Sequence, residues 1–458
     1  MSGPNVGLGT HQVAFFDPQA AYTTPNLYPV AADAVRVLSW TVDGKSPREA
    51  REDKFLTGTK IGSISMKKTV AWTMEVYAYT SGTVGTAPDW SDLLLDGAGM
   101  QQTSGTGTTV SGGGSTTTVI DVVDASGFTV GGALVISGEL RRITAKDTVP
   151  TPNTVTITPA LSAAPADAVT VSSALSYRPD DDRSNLPKSG TLWLGNNSHL
   201  WRLTGAVVES LTFSGGGDGA ARIQFSGFAR ASALQFPTTM NDSGGISDSD
   251  VSMTVTNGKA IPDDVSATNP YYIQIESEII KVTAKSTNTL TIVRGELLSA
   301  NVAHADALVI DPYQPAGTYA GEPVPATGGI CKIASVTTPI ETWSVAYESG
   351  AVQRVDQHGD ASKVAGFVQG MRAVTPTLSG WSFYDTAMLH QADAVNRTAV
   401  QAFAQQGDTA GSLLAVECPT VRFQVASFDG NADEVRLELT GEAEGTTAKE
   451  DEFFLLVG

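Results

Sequence analysis

The sequence predicts a mainly β protein. It reads as two tandem β-sandwich or barrel domains, each with one short helix, plus two small inserted β modules. Three observations predict this. One stretch alternates apolar and polar residues far longer than an ordinary strand does. Gly (46 residues) and many Thr, Ser and Val residues in a 458-residue chain favour β over helix. Strand patterns also recur at distant places in the chain.

The alternation runs from Ile64 to Tyr79. Even positions are Ile64, Met66, Lys68, Val70, Trp72, Met74, Val76 and Ala78; odd positions are Ser65, Lys67, Thr69, Ala71, Thr73, Glu75, Tyr77 and Tyr79. A period of two marks a strand with one buried face. About 16 such residues span roughly 50 Å at 3.3 Å per residue, whereas ordinary strands hold about 5–6 residues. With no Pro or Gly inside, the run is one very long strand or a hairpin turning near Lys67–Lys68. A strand that long needs a large partner surface, which points to assembly. A Gly/Thr loop and a short helix opened by Asp89 follow.

The length allows two to four domains. Residues 1–34, with Pro4, Pro18, Pro25 and Pro29 and few charges, read as an N-terminal arm that is mobile alone and orders against a neighbour. Residues 35–110 form the first part of domain one and 174–236 its second part. The first module fills 111–173, entered through the low-complexity bridge TSGTGTTVSGGGSTTT. The second module spans 237–316, and domain two spans 317–458.

Two internal repeats support this division. Residues 119–171 and 251–310 share a strand, an acidic turn (Glu139; Glu276 and Glu278), a strand ending Thr-Ala, an Asn-Thr turn, and a closing Ala-Asp-Ala. Modules of that size are marginal alone, so each leans on its host. The second repeat pairs ARIQFSGFAR (221–230) with VRLELTGEAE (435–444). In both, an Arg opens the strand and a Gly follows five residues later: Arg222 and Gly227, Arg436 and Gly441. KVAGFVQGMRAVTPTLSGWSFY (363–384) echoes the opening alternation, and helices are expected near Asp89–Ala98 and Asp393–Gln406.

Little in the chain points to catalysis. The histidines His11, His199, His304, His358 and His390 stand at no metal-ligand spacing, and Cys331 and Cys418 lie far apart, as two buried thiols would. No GxSxG, HExxH or Walker A motif occurs. The expectation is therefore no enzyme, no cofactor and no metal. A net charge of −19 argues against a protein that grips nucleic acid by its phosphates. No apolar run reaches the ~20 residues of a membrane helix, and the N-terminus lacks a secretory pattern. The segment GKSPREAREDKF (44–55) alternates charge signs densely. It is either a solvated hairpin loop or a subunit contact whose charges set register; its counterpart is AVQRVDQHGDASK (351–363).

TVAWTMEVYAYTSGTVGTAPDWSDLLLDGAG (69–99) resembles the tail-tube (major tail) proteins of long-tailed, siphovirus-type bacteriophages. SLTFSGGGDGAARIQFSGFARA (210–231) resembles their later hairpin. ETWSVAYESGAVQRVDQHGDASKVAGFVQG (341–370) looks like the C-terminal half of double-domain members. RGELLSANVAHADALV (294–309) is similar to small β modules of phage tail proteins.

The resemblance implies a structural virion protein, made in the host cytoplasm, whose rings stack into the tube that delivers the genome. A duplicated chain would form a homotrimeric, pseudo-sixfold ring. Its partners would be other copies of itself, the tape-measure protein, the tail-tip and terminator proteins, and double-stranded DNA passing without specific binding. Acidic side chains facing the lumen would repel that DNA, and the modules would face outward. The tube-wall strands would carry Val70, Trp72, Met74, Val76, Arg222, Phe225, Arg436 and Leu439. Ring stacking would use the arm and Lys45, Arg48, Glu49, Arg51, Glu52, Asp53, Lys54, Arg354, Asp356 and Asp360. The alternative is a virion decoration protein or glycan-binding adhesin, with Tyr271, Tyr272 and Tyr313 as sugar platforms.

Overall fold

The computed structural model describes residues 12–19, 21–45, 48–50, 63–65, 67–149, 152–180, 187–196, 199–217, 219–355, 366–381, 384–425, 436–446 and 451–458. The protein is mainly β. The chain opens with β1 (Gln12–Pro18), β2 (Ala34–Val35), β3 (Ser39–Lys45), β4 (Arg48–Ala50), β5 (Ser63–Ser65) and β6 (Thr69–Tyr77), then a helical turn at Leu93–Gly97. Next come β7 (Met100–Thr103), β8 (Thr108–Thr109), β9 (Val119–Val122), β10 (Ala133–Ile136), β11 (Glu139–Asp147), β12 (Asn153–Thr158) and β13 (Thr170–Pro179). β14 (Gly190–Asn196), β15 (His199–Gly216), β16 (Arg222–Ala229) and β17 (Ala231–Gln235) follow. A separate six-stranded sheet holds β18 (Thr238–Thr239), β19 (Ser252–Thr254), β20 (Tyr271–Ile275), β21 (Glu278–Ser286), β22 (Thr289–Val293) and β23 (Val309–Pro312). The remainder is β24 (Ile330–Ile333), β25 (Val336–Thr337), β26 (Thr342–Glu348), β27 (Ala351–Gln353), β28 (Phe367–Gln369), β29 (Ala373–Trp381), α1 (Tyr384–Val395), β30 (Val400–Gln406), β31 (Leu414–Phe423), β32 (Arg436–Ala443) and β33 (Phe454–Val457).

The pairing scheme occurs twice. β1·β14, β14·β15, β15·β17, β15·β16, β16·β6 and β6·β3 in the first copy match β24·β30, β30·β31, β31·β33, β31·β32, β32·β29 and β29·β26 in the second. Even a register shift is shared: between Gly190 and Leu192, and between Val400 and Ala402. The repeated glycine has a steric cause. A Cβ on Gly227 would run into the Val207 carbonyl oxygen and the Trp72 ring, and one on Gly441 would stand 2.6 Å from Val421.

Four expectations change. Residues 12–34 are not an arm: β1 pairs with β14 over its whole length, and Ala14, Phe15 and Phe16 are buried. Its prolines do not prevent this, because Pro18 ends the strand and Pro25 and Pro29 fall in the following loop. The long alternation is neither an unbroken strand nor a hairpin turning at Lys67–Lys68. β6 pairs with β3 and β5 with β4, from Lys45↔Thr69 to Arg48↔Ser65, so one strand advances three residues while the other advances four. The helix expected at Asp393–Gln406 lies earlier, at Tyr384–Val395, and Val400–Gln406 is a strand. The helix stops where Arg397 turns to φ 53° and the Thr398 amide donates to the Asp393 carbonyl (2.9 Å). Asp89 also does not cap its helix; its carboxylate holds Arg36 at 2.9 Å.

The two modules share one strand order, β13·β10·β11·β12·β9 and β23·β20·β21·β22·β19, with matching bulges between Ile143 and Ala145 and between Val282 and Ala284. The expected boundary at 173 falls inside β13, which runs on to pair with β7 and β33. The module that follows the first helix therefore seats on the second copy. Arg142 meets Glu417 at 2.7 Å, and Ala133, Val135 and Leu140 pack with Phe403, Ala415, Phe454 and Leu456. The other module seats on the first copy, where Arg202 lies 3.9 Å from the Tyr271 ring centre and donates to Asn269 (2.8 Å).

Inside that second module Glu278 is fully buried beneath Arg294, which grips it through two bonds of 2.7 Å, and His304, at 2.8 Å. Burial opposes its ionisation, but Arg294, the Val302 and Gly295 amides and His304 outweigh burial and hold it down at about 2. Removing one partner of a buried ion pair strands the other charge, so Glu278→Gln is expected to cost about 3 kcal/mol in urea unfolding at pH 7. The wild-type advantage is present above the ordinary value of 4.5 and disappears as pH falls toward about 2.

Candidate assembly interface

One sheet crosses both copies in the order β3-β6-β16-β15-β26-β29-β32. Alternation gives it two unlike faces. The inner face carries Val70, Trp72, Met74, Val76, Phe225, Val345, Leu378 and Leu439, all buried in one core that both copies share. The outer face is rich in hydroxyls, and some pair across strands: Thr41 with Thr73 and Ser210 with Ser226 at 2.7 Å, Thr377 with Thr440 at 3.3 Å. The basic side chains described on this face sit against carboxylates. Lys45 meets Asp43 (3.1 Å), Arg222 meets Glu75 (3.0 Å) and Arg436 meets Glu341 (3.1 Å).

The copies join through an antiparallel ladder from Ser210↔Glu348 to Gly216↔Thr342. It buries Trp343, Val345 and Tyr347 on β26. β3 is the matching strand of the first copy, and its Ser39-Trp40-Thr41-Val42 repeats Thr342-Trp343-Ser344-Val345. Yet β3 pairs only with β6 among the described residues, and Trp40 and Val42 are half-buried. An open edge of this kind is a template for another strand. At the far side of the sheet, β31 pairs with β32 as far as Phe423↔Gly441, and the Gln424 amide donates to the Thr440 carbonyl (2.9 Å).

The expected wall residues thus divide by face: Val70, Trp72, Met74, Val76, Phe225 and Leu439 point into the core, and Arg222 and Arg436 point outward. Of the expected stacking residues, Lys45 is exposed at the end of β3, and Arg48 and Glu49 lie in β4, paired with Ser65 and Ile64. Arg354 is exposed, its amide donating to the Gly366 carbonyl (2.9 Å). Arg51, Glu52, Asp53, Lys54, Asp356 and Asp360 lie outside the described residues, as do residues 1–11 of the expected arm. The ladder between copies was missed, although the Ser-Trp-Thr-Val and Thr-Trp-Ser-Val tetrapeptides were a legible signal for it.

The candidate sugar platforms are not open rings: Tyr271 and Tyr272 are buried and Tyr313 is half-buried. Cys331 and Cys418 are buried and unbonded, and burial pushes the Cys331 thiol up to about 12. Among the described residues no cluster of His, Cys, Asp or Glu could hold a metal ion, and no helix is long and apolar enough to cross a membrane. No protein-family model matches the chain, and no curated protein matches it.

The matched tryptophans give a direct check on the open edge. In the isolated chain, Trp343→Ala is expected to cost about 3–5 kcal/mol, and Trp40→Ala clearly less, because its edge is already wet. Urea unfolding of the two variants under non-assembling conditions measures the difference.

Proposed function

We propose that this chain is the repeating subunit of a phage-type tail tube. Three chains close into a ring, and rings stack into a conduit for DNA. The observation that carries the reading is the pair of matching strands: β26 pairs with β15 of its own chain as well as with β29, while β3, with the same tetrapeptide pattern, pairs among the described residues with β6 alone. A second copy supplies the missing neighbour by repeating the ladder already made inside the chain. The first copy lends four strands to the shared sheet and the second three, so three chains would close a barrel of about 21 strands, more than the 16–18 that already leave an aqueous channel.

The hydroxyl-rich face suits the lumen of such a barrel. DNA sliding past it meets neutral oxygens, the exposed carboxylates of Glu348 and Glu438, and arginines already engaged by Glu75 and Glu341, so it gains few of the phosphate contacts that release counterions and hold it in place. This differs from a wall of bare acids: resistance to binding comes from neutralised cations as much as from repulsion. The ribbon β4–β5 and its counterpart β27–β28 project from one end of the sheet and are the natural contacts between rings.

The test is assembly. Purified protein is expected to form hollow stacked rings in negative stain, with three chains per ring by mass. Val42→Lys should leave the monomer folded, with a near wild-type unfolding midpoint, yet prevent ring closure, because an inward-pointing lysine on an edge strand blocks strand addition. Rings formed by Val42→Lys at wild-type yield would show that β3 is not the closing edge.

A further inference from the structure

We infer that residues 1–11 of one chain dock in a cavity on the second copy of the neighbouring chain and strap the two chains together within the ring. This rests on the tail-tube reading and adds a binding site and its occupant.

The duplication makes the site legible. A cavity of about 490 Å³ opens in the second copy, where β15 stops and β26 starts, and its wall includes Thr337, Pro339, Gln405 and Gln406. The strand registers give each of these a matching position in the first copy. Phe16↔Leu192 matches Ile333↔Ala402, both at the shared register shift, and Phe15↔Ala34 matches Lys332↔Thr337. Thr337, Pro339, Gln405 and Gln406 therefore correspond to Ala34, Arg36, Gly195 and Asn196.

In the first copy that place is covered by the chain itself. The Gln314 side chain donates to the Asn196 carbonyl (3.3 Å), a Cβ on Gly317 would stand 2.6 Å from Ala34, and Arg36 donates to the carbonyls of Ala320 and Gly321, the latter at 2.9 Å. This strap, residues 314–321, leads toward β24, the first strand of the second copy. Past Gly321 it crosses the ends of β6 and β16. There Val324 is buried, its amide donating to the Ala78 carbonyl (3.2 Å) and its carbonyl accepting from the Ala221 amide (3.1 Å). The lead-in to one copy is thus the cover of the copy before it. Among the described residues no such segment lies across the cavity of the second copy.

The same rule selects the occupant. β1 is the strand that matches β24. In a ring the copy before it, across β3, is the second copy of the neighbouring chain. Nine residues carry the chain from Gly321 to Ile330; nine back from Val13, which matches Ile330, is Pro4. Neighbouring copies lie four strand spacings apart, β3 to β26, or about 19 Å. Nine extended residues reach about 30 Å, so residues 1–11 are long enough. They hold no Asp, Glu, Lys or Arg and three glycines, Gly3, Gly7 and Gly9, which suits an extended lie beside Cys331 and Trp343 of the cavity wall. The chain's own cavity is a poor target, because residues 322–329 already take the way to it.

One difference sets the strength of the contact. Pro339 stands where the first copy has Arg36, so the docked segment lacks the guanidinium that holds the strap's carbonyls. Burial has to hold it instead, and the contact is weaker than the strap within the chain.

Pro4→Cys with Pro339→Cys, in the full chain, tests this by treatment with a short bis-maleimide after rings form; the two native cysteines are buried. Chains joined three at a time on denaturing gels are expected, and each single cysteine should leave monomers. Deleting residues 2–11, or Thr337→Trp at the exposed rim of the cavity, should keep the urea midpoint of the isolated chain. Either change should raise the concentration needed for ring closure about tenfold, by removing one of two linked contacts. Rings whose double-cysteine chains stay monomeric or crosslink only internally overturn the strap between chains, as does a deleted chain that closes rings at the wild-type concentration. Both results leave the tail-tube reading standing. If the wild-type protein forms no rings, that reading falls and the strap falls with it.

Discussion

The ladder between β15 and β26 is the constraint on which the rest of the molecule depends. It turns two edges into the middle of one sheet and merges the apolar faces of two copies into a single core. Its backbone bonds are individually weak in net terms, about 0.5–1.5 kcal/mol each. Its register is nevertheless strongly specified. A slip of one residue would turn Trp343, Val345 and Tyr347 outward and bring Ser344 and Ala346 into the core. The alternation of side chains locks the ladder, and the ladder orders the two copies side by side.

The modules reinforce that arrangement by crossing it. The module inserted after the first helix does not cover its own copy alone: β13 pairs with β33, the last strand of the second copy. The other module returns to the first copy through Arg202 and Tyr271. Arg202 on β15 and Glu417 on β31 occupy matching positions, so the duplicated framework presents one docking site twice and fills it with opposite charges. Each module thereby gains a specified seat, and the chain loses its internal symmetry. The two helices differ as a result: Leu93 and Leu94 of the first are buried, while Leu389 and Val395 of the second are exposed.

Within the proposed tube, the chemistry of the sheet's two faces serves two tasks. The inner face supplies the burial that keeps the sheet intact. The outer face must avoid holding a polyanion, and it does so with cross-strand hydroxyl pairs and with arginines engaged by carboxylates. The net charge of −19 is spread over the chain, with its largest share in residues 317–458 and the next in the second module.

By itself the sequence determined the class of the fold and much of its internal repetition. Period-two alternation makes one-faced strands whatever surrounds them, so Val70, Trp72, Met74 and Val76 were legible as a buried row. The Arg222–Gly227 and Arg436–Gly441 spacing was legible because a neighbouring strand leaves no room for a Cβ there. Only the tertiary structure decided which strands become neighbours. β1 looked like an arm because few charges and several prolines describe a loop as well as a strand; its burial comes from β14, far away in sequence. Val400–Gln406 read as helix because Ala, Gln and Phe suit either state, and pairing with β24 and β31 settled it. The joining of the copies, the crossing of the modules and the open edge of β3 are long-range pairings. Backbone hydrogen bonds carry no residue code, so such pairings leave little trace in sequence beyond a repeated tetrapeptide.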